Sequence, residues 1–158
     1  MDIHFREEQR FTQWWLWLLL ITIAFIPVLG IYQQLVKKVP FGDNPMPDGG
    51  LILFTIFTLG ILVVFRLICL RTTITSTEIN IRFFPFLSRT IRWEDIKSAK
   101  IVNYGFAGYG IRYGSRHGVI YNTRGSEGLA IEKKNGEKLV IGTQKKDEIN
   151  KIISQLLP

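Results

Sequence analysis

The stretch WWLWLLLITIAFIPVLGIY, from Trp14 to Tyr32, decides how this chain is organised, because its 19 residues include no charged side chain. A second apolar run, from Leu51 to Leu70, has 20 residues and a single charge, Arg66. At about 1.5 Å per residue, each run forms a helix of roughly 28–30 Å, which matches the hydrocarbon thickness of a bilayer. Neither run has the polar stripe of a helix that packs on a soluble core. We therefore predict two transmembrane helices, about 14–32 and 51–70.

The ends of both runs carry side chains that favour a membrane–water interface. Aromatic rings with a polar group prefer the headgroup level, and long arginine side chains can reach it from inside the bilayer. The predicted interface anchors are Trp14, Trp15, Trp17, Tyr32, Arg66 and Arg71.

A cleaved signal peptide is the alternative for the first run. The residues before it are not net positive, the run exceeds the usual ~7–15 apolar residues, and no small-x-small cleavage site follows. We therefore predict an uncleaved anchor. Two spans place both termini on one side, and arginines outnumber basic loop residues there, which predicts cytoplasmic termini in a multi-pass protein of the cell membrane.

Composition supports a division into two unlike parts. The 158 residues are 47% hydrophobic, yet the net charge is +7. Residues 71–158 hold 15 basic and 8 acidic side chains, whereas residues 1–70 hold 5 of each. The predicted domains are a helical hairpin over 1–70 and a basic soluble domain over 71–158. One cysteine excludes a disulfide framework.

The soluble part has short runs of β-type alternation, for example at 79–83, separated by turn residues. Around Asn135-Gly136, a three-residue loop with a left-handed glycine pairs Ile131 with Leu139 and Glu132 with Lys138, which satisfies both face and charge. The pattern predicts six or seven strands in a small antiparallel barrel or sandwich.

The C-terminus changes to a helical period. Its apolar side chains follow one stripe of a helix of about 13 residues that starts near Lys145, with Thr143 as its N-cap. The stripe comprises Ile149, Ile152, Ile153, Leu156 and Leu157.

The order of two membrane spans, the segment 72–79, Trp93-Glu94-Asp95-Ile96, the Gly142-Thr143 turn and a helix resembles bacterial pleckstrin-homology (PH)-like membrane proteins. The resemblance implies a bent antiparallel barrel of about seven strands with a C-terminal amphipathic helix. It implies no chemistry. The basic phosphoinositide motif of other PH domains has no counterpart between Thr72 and Ile81.

Five arginines of the soluble part are candidates for contact with anionic lipid or with an acidic partner, since cations favour a negative leaflet. They are Arg82, Arg92, Arg112, Arg116 and Arg124. A solvated basic face is the alternative. Phe84 and Phe86 lie at an expected hairpin tip, where side chains are normally polar, so they are candidates for contact with the membrane, the helices or another subunit. The alternative is that this segment folds back on the core of the domain.

The sequence contains no set of residues with the spacing of a catalytic centre. His4 and His117 are far apart in the chain, and two histidines with Cys69 give no metal-ligand spacing. We predict no enzyme activity, no cofactor, no metal and no nucleic-acid partner. The predicted function is a membrane-anchored binding or scaffold module whose basic PH-like domain contacts anionic lipid or a protein at the cytoplasmic face. The alternative is a structural, oligomerising subunit of a membrane protein complex.

Overall fold

The structure, a computed structural model, describes residues 2–105, 108–114 and 117–156. The chain divides into two compact units. One unit, here called the β-unit, comprises Met1–Phe11 and Ile68–Pro158, and the other, the helical unit, is Thr12–Leu67.

The helical unit consists of α1 (Trp14–Ile31), a π-helical turn (Tyr32–Val36) and α2 (Asp48–Leu67). The stretches Trp14–Val36 and Asp48–Leu67 are long and apolar enough to cross a membrane, and only 17% of each is buried within the structure. The residues buried within the two helices include small ones such as Ala24, Gly30 and Thr55. The second helix ends at Leu67 and not at Leu70, because the chain then enters a strand.

The first sheet of the β-unit has four strands in the order β1-β2-β3-β4. They are β1 (Ile3–Arg10), β2 (Cys69–Thr75), β3 (Glu78–Phe84) and β4 (Leu87–Arg92). Strand β1 precedes α1 and pairs antiparallel with β2, which follows α2. The β-unit therefore includes the first eleven residues, whereas the sequence prediction assigned everything before residue 71 to the helical hairpin.

The second sheet has five strands in the order β5-β8-β9-β7-β6, so the two sheets contain nine strands instead of six or seven. They are β5 (Ile96–Asn103), β6 (Gly110–Gly114), β7 (Gly118–Asn122), β8 (Glu127–Lys133) and β9 (Lys138–Gly142). Strands β7 and β9 run parallel, so the sheet is not purely antiparallel as predicted. The additional strands are β1 and the glycine-bounded β6, neither of which has the full apolar–polar alternation of a half-buried strand.

The β8–β9 hairpin confirms the predicted register. Ile131 lies opposite Leu139, Glu132 lies opposite Lys138, and Gly136 has a φ of 86°. Glycine suits this position because residues that carry a side chain rarely adopt that left-handed backbone conformation. Its amide donates to the carbonyl of Lys133 over 2.9 Å, which closes the loop.

The C-terminal helix α3 (Lys146–Leu156) follows the strands as predicted. Ile149 and Ile153 are buried, which confirms the core-facing stripe, while Leu157 lies outside the described residues. The hydroxyl of Thr143 accepts the Lys145 amide at 2.9 Å, and because the helix begins at Lys146, Thr143 lies two residues before the N-cap position.

An ion pair joins the two sheets at the β8–β9 turn. Glu137 accepts hydrogen bonds from Arg89 of β4 and, over 3.1 Å, from Lys133. The hydrogen bond from Arg89 is the main reason that the pKa of Glu137 lies below its ordinary value of 4.5. A carboxyl with a lowered pKa stabilises the fold above its ordinary pKa and loses that effect as the pH falls through the folded-state pKa.

We therefore predict that Glu137→Gln lowers the free energy of unfolding by up to about 1 kcal/mol at pH 7 and has a much smaller effect at pH 3, since the pair is partly exposed. Urea unfolding of the full chain in detergent, followed by circular dichroism, measures both values. Glu94→Gln is the control, because Glu94 and Arg92 form an ion pair whose side chains are both 70% exposed. Equal destabilisation by Glu137→Gln at the two pH values would contradict the prediction.

Candidate membrane-contact site

The chain leaves the β-unit and returns to it at the same end of the first sheet. Arg10, the last residue of β1, lies opposite Cys69, the first residue of β2, and Cys69 lies opposite Phe84. Three residues connect Arg10 to α1, and a single residue, Ile68, connects α2 to β2. We call this end of the sheet, marked by Arg10, Cys69 and Phe84, the junction end.

The β3–β4 turn at the junction end carries two exposed aromatic rings. Phe84 is 43% exposed and Phe86 is 61% exposed, whereas Phe83 beside them is buried. The turn is held by a hydrogen bond of 2.8 Å from the Phe86 amide to the Phe83 carbonyl. We call residues 84–86 the aromatic tip. The prediction of a hairpin tip with an aromatic residue on the surface is confirmed.

Arginines lie on the outer face of the same sheet, two residues behind the tip. Arg82 lies directly opposite Arg71, and the Arg82 guanidinium is 5.8 Å from the centre of the Phe84 ring. Arg71 forms an ion pair of 2.6 Å with Glu8, while Arg82 forms no salt bridge within the described part of the chain. Hydrogen bonding from Arg6, opposed by a smaller desolvation effect, lowers the pKa of Glu8, so this carboxylate stays charged beside the arginines.

Strand β1 is fixed to the second sheet by two buried polar side chains, which we call the β1 latch. Glu7 accepts hydrogen bonds from the Thr143 hydroxyl at 2.6 Å and from the Gln144 amide at 2.8 Å. Gln9 donates to the carbonyl of Gly142 over 2.7 Å. Both latch residues are 6% exposed, so the hydrogen bonds are formed away from water.

Loops of the second sheet reach the same end of the β-unit. The Phe11 ring makes an edge-to-face contact with Tyr109, and the Thr123 hydroxyl donates to Gln9. Buried Asn122 donates to the carbonyls of Gly108 and Gly125, which holds these two loops together.

Tyr104 belongs to the same group of loops. Burial raises the pKa of its hydroxyl to about 12, so this side chain remains neutral. The hydroxyl lies 3.2 Å from where a side chain on Gly142 would begin, so a larger residue there would have to displace its neighbours.

The predicted cations do not form one cluster. Arg82 lies near the junction end. Arg92, in contrast, lies on β4 directly opposite Glu78, at the other end of β3, and so faces a different part of the surface. Arg112 donates to the carbonyl of Tyr109, whose ring contacts Phe11, and Arg124 lies in the loop after β7. Arg116 lies outside the described residues.

The predicted interface anchors fall in both units. Trp14, Trp15 and Tyr32 are exposed at the ends of α1 and the π-helical turn, and Arg66 is in the last turn of α2. Trp17 lies in the first turn of α1. Arg71 is instead a residue of β2, because the helix ends three residues earlier than the apolar run suggested.

A groove of about 250 Å³ lies on the second sheet, across β5, β8 and β9. Lys97 donates to Glu132 over 2.7 Å, which lowers the pKa of this carboxyl, and Lys138 and Lys100 lower it further through their charges. Positive charge therefore exceeds negative charge here. The main lining residues are Ser98, Lys100, His117, Ala130, Glu132 and Lys138.

Sequence reasoning did not find the latch or the groove, because each is made by strands distant in the chain. The described part of the chain contains no group of three or more His, Cys, Asp or Glu side chains placed to hold a metal ion. Cys69 is buried in β2. No family model, curated protein or solved structure matches this chain.

The latch generates a prediction about β1. Glu7→Ala leaves the Gln144 amide without its buried partner, so we expect it to lower the free energy of unfolding by about 1–3 kcal/mol. Glu7→Gln, which retains the shape and one acceptor oxygen, should lose less. Thermal and urea unfolding of the full chain in detergent measure the differences.

His4→Ala is the matched control for the latch, since His4 is an exposed residue of the same strand. An effect of Glu7→Ala as small as that of His4→Ala would show that β1 contributes little to the stability of the β-unit.

Proposed function

We propose that this chain is a membrane-anchored, non-enzymatic binding or scaffold module. Helices α1 and α2 cross the cell membrane, both termini are cytoplasmic, and the basic β-unit is held at the cytoplasmic face to contact anionic lipid or a protein partner. The resemblance to bacterial PH-like proteins remains a prediction within this proposal.

The observation that carries the proposal is the insertion of two apolar helices between paired strands. Because β1 and β2 are hydrogen-bonded neighbours, the chain must return to the side from which it left, as two membrane crossings require. The exposed apolar side chains of α1 and α2 suit lipid and would be costly in water.

The charge of the β-unit supports the choice of partner. Its two segments contain 17 basic and 11 acidic residues, a net charge of +6. Each cation close to an anionic leaflet contributes on the order of 1 kcal/mol of attraction. The lysines of the groove and the arginines behind the tip supply such charges on exposed faces.

Labelling in intact cells tests the topology. In a Cys69→Ala background, a cysteine placed at Asp43, in the connection between the helices, should react with a membrane-impermeant maleimide from outside. A cysteine placed at Asn135, in the β8–β9 turn, should react only after lysis. Both positions are exposed, so each can be labelled. Reaction of both cysteines in intact cells, or of neither until lysis, would contradict the topology.

Mild detergent extraction tests the partner. Native mass spectrometry of the purified full chain should show retained anionic phospholipids in preference to zwitterionic ones, and less retention in a Lys100→Gln/Lys138→Gln variant. Lys151→Gln, on the exposed surface of α3, is the control. A stoichiometric second membrane protein without such lipids would instead favour the structural subunit of a larger complex.

A further inference from the structure

The aromatic tip exposes two large apolar side chains at the junction end of the β-unit. Phe83 packs inward and fixes the hairpin, and the centre of its ring lies 6.3 Å from that of Phe86. Phe84 and Phe86 project outward on either side of Pro85. Large apolar side chains normally lie away from water, so two exposed rings at one turn need a physical reason.

The position of the tip indicates which surface it meets. Phe84 is the cross-strand partner of Cys69, and Cys69 is separated from α2 by Ile68 alone. Arg10, on the other side of Cys69, is likewise only three residues from α1. The exposed rings are therefore at the end of the sheet from which the chain enters the apolar helices, and not at the end that holds Arg92.

The spacing of charge behind the tip fits a lipid interface. Arg82 precedes Phe84 by two residues on one face of β3, and strands rise about 3.3 Å per residue, so the two positions lie roughly 7 Å apart along the strand. The guanidinium itself lies 5.8 Å from the centre of the Phe84 ring. Interfacial helices bury their apolar face about 5–10 Å into the headgroup–acyl boundary, so a cation and a ring at this spacing can reach the phosphate and the acyl boundary together when the tip points into the bilayer.

We infer that the aromatic tip inserts into the headgroup–acyl boundary of the bilayer that α1 and α2 cross, with Arg82 bound to the phosphate of an anionic phospholipid. The inference rests on the proposed function and identifies the lipid surface as the partner of this site. It assigns the tip a binding role in addition to the anchoring by the helices.

Spin labelling of the full chain in anionic liposomes tests this inference. In a Cys69→Ala background, a nitroxide at Phe86→Cys should be more accessible to oxygen than to a water-soluble nickel complex, as in lipid. A label at Asn135→Cys, in another exposed hairpin turn, should show the aqueous pattern. A label at Phe57→Cys, exposed on α2, reports separately whether the helices lie in the bilayer.

The outcomes are distinguishable. A lipid pattern at 57 with an aqueous pattern at 86 overturns the inference and leaves the proposed function intact, whereas an aqueous pattern at 57 overturns the proposed function. A label at 86 that is inaccessible to both reagents indicates a protein contact and also overturns the inference.

A second set of variants tests the phenylalanines themselves. With the label at Phe86→Cys, the Phe84→Ser variant should shift the label towards the aqueous pattern, and Arg82→Gln should shift it less. Phe84→Leu should keep the lipid pattern, because leucine also partitions into the acyl region. An unchanged pattern in the serine variant, with circular dichroism showing a folded β-unit, would contradict the role of the rings.

Discussion

Eight residues of β1 lie along β2, although residues 11–68 separate the two strands in the chain. Closing a loop of that length costs conformational entropy, which grows slowly with loop length. The packing of α1 on α2 reduces this cost, because a helical hairpin brings its two outer ends back together. The strand pair and the helix pair therefore support each other, and the remaining strands of the first sheet are added to β2.

The sequence did not predict β1, and the reason is the polarity of its inner face. Phe5, Glu7 and Gln9 all point inward, but two of these three side chains are polar. Alternation of apolar and polar residues is the signal for a half-buried strand, and here the buried positions look polar. Only the second sheet, which supplies Thr143 and Gly142 as partners, makes such side chains acceptable in the interior.

The sequence predicted correctly an element whose residues lie close together in the chain. The register of the β8–β9 hairpin followed from charge and face pairing around Gly136. The parallel pairing of β7 with β9 depends on contacts between distant segments and has no such signal. For the candidate site, the sequence identified Phe84 and Phe86, but only the register of three strands places them at the junction end.

The β1 latch defines the register of β1 more specifically than apolar side chains at the same positions would. Apolar side chains would tolerate several registers, but a shift of one residue would turn Arg6 and Glu8 inward and leave their charges without partners. The hydrogen bonds of Glu7 to Thr143 and Gln144 therefore select one register. That register determines that Arg10 is the last paired residue, and so sets the length of chain between the sheet and α1. Phe84 lies in the same row through its pairing with Cys69, so the latch places the last residue of β1 level with the aromatic tip.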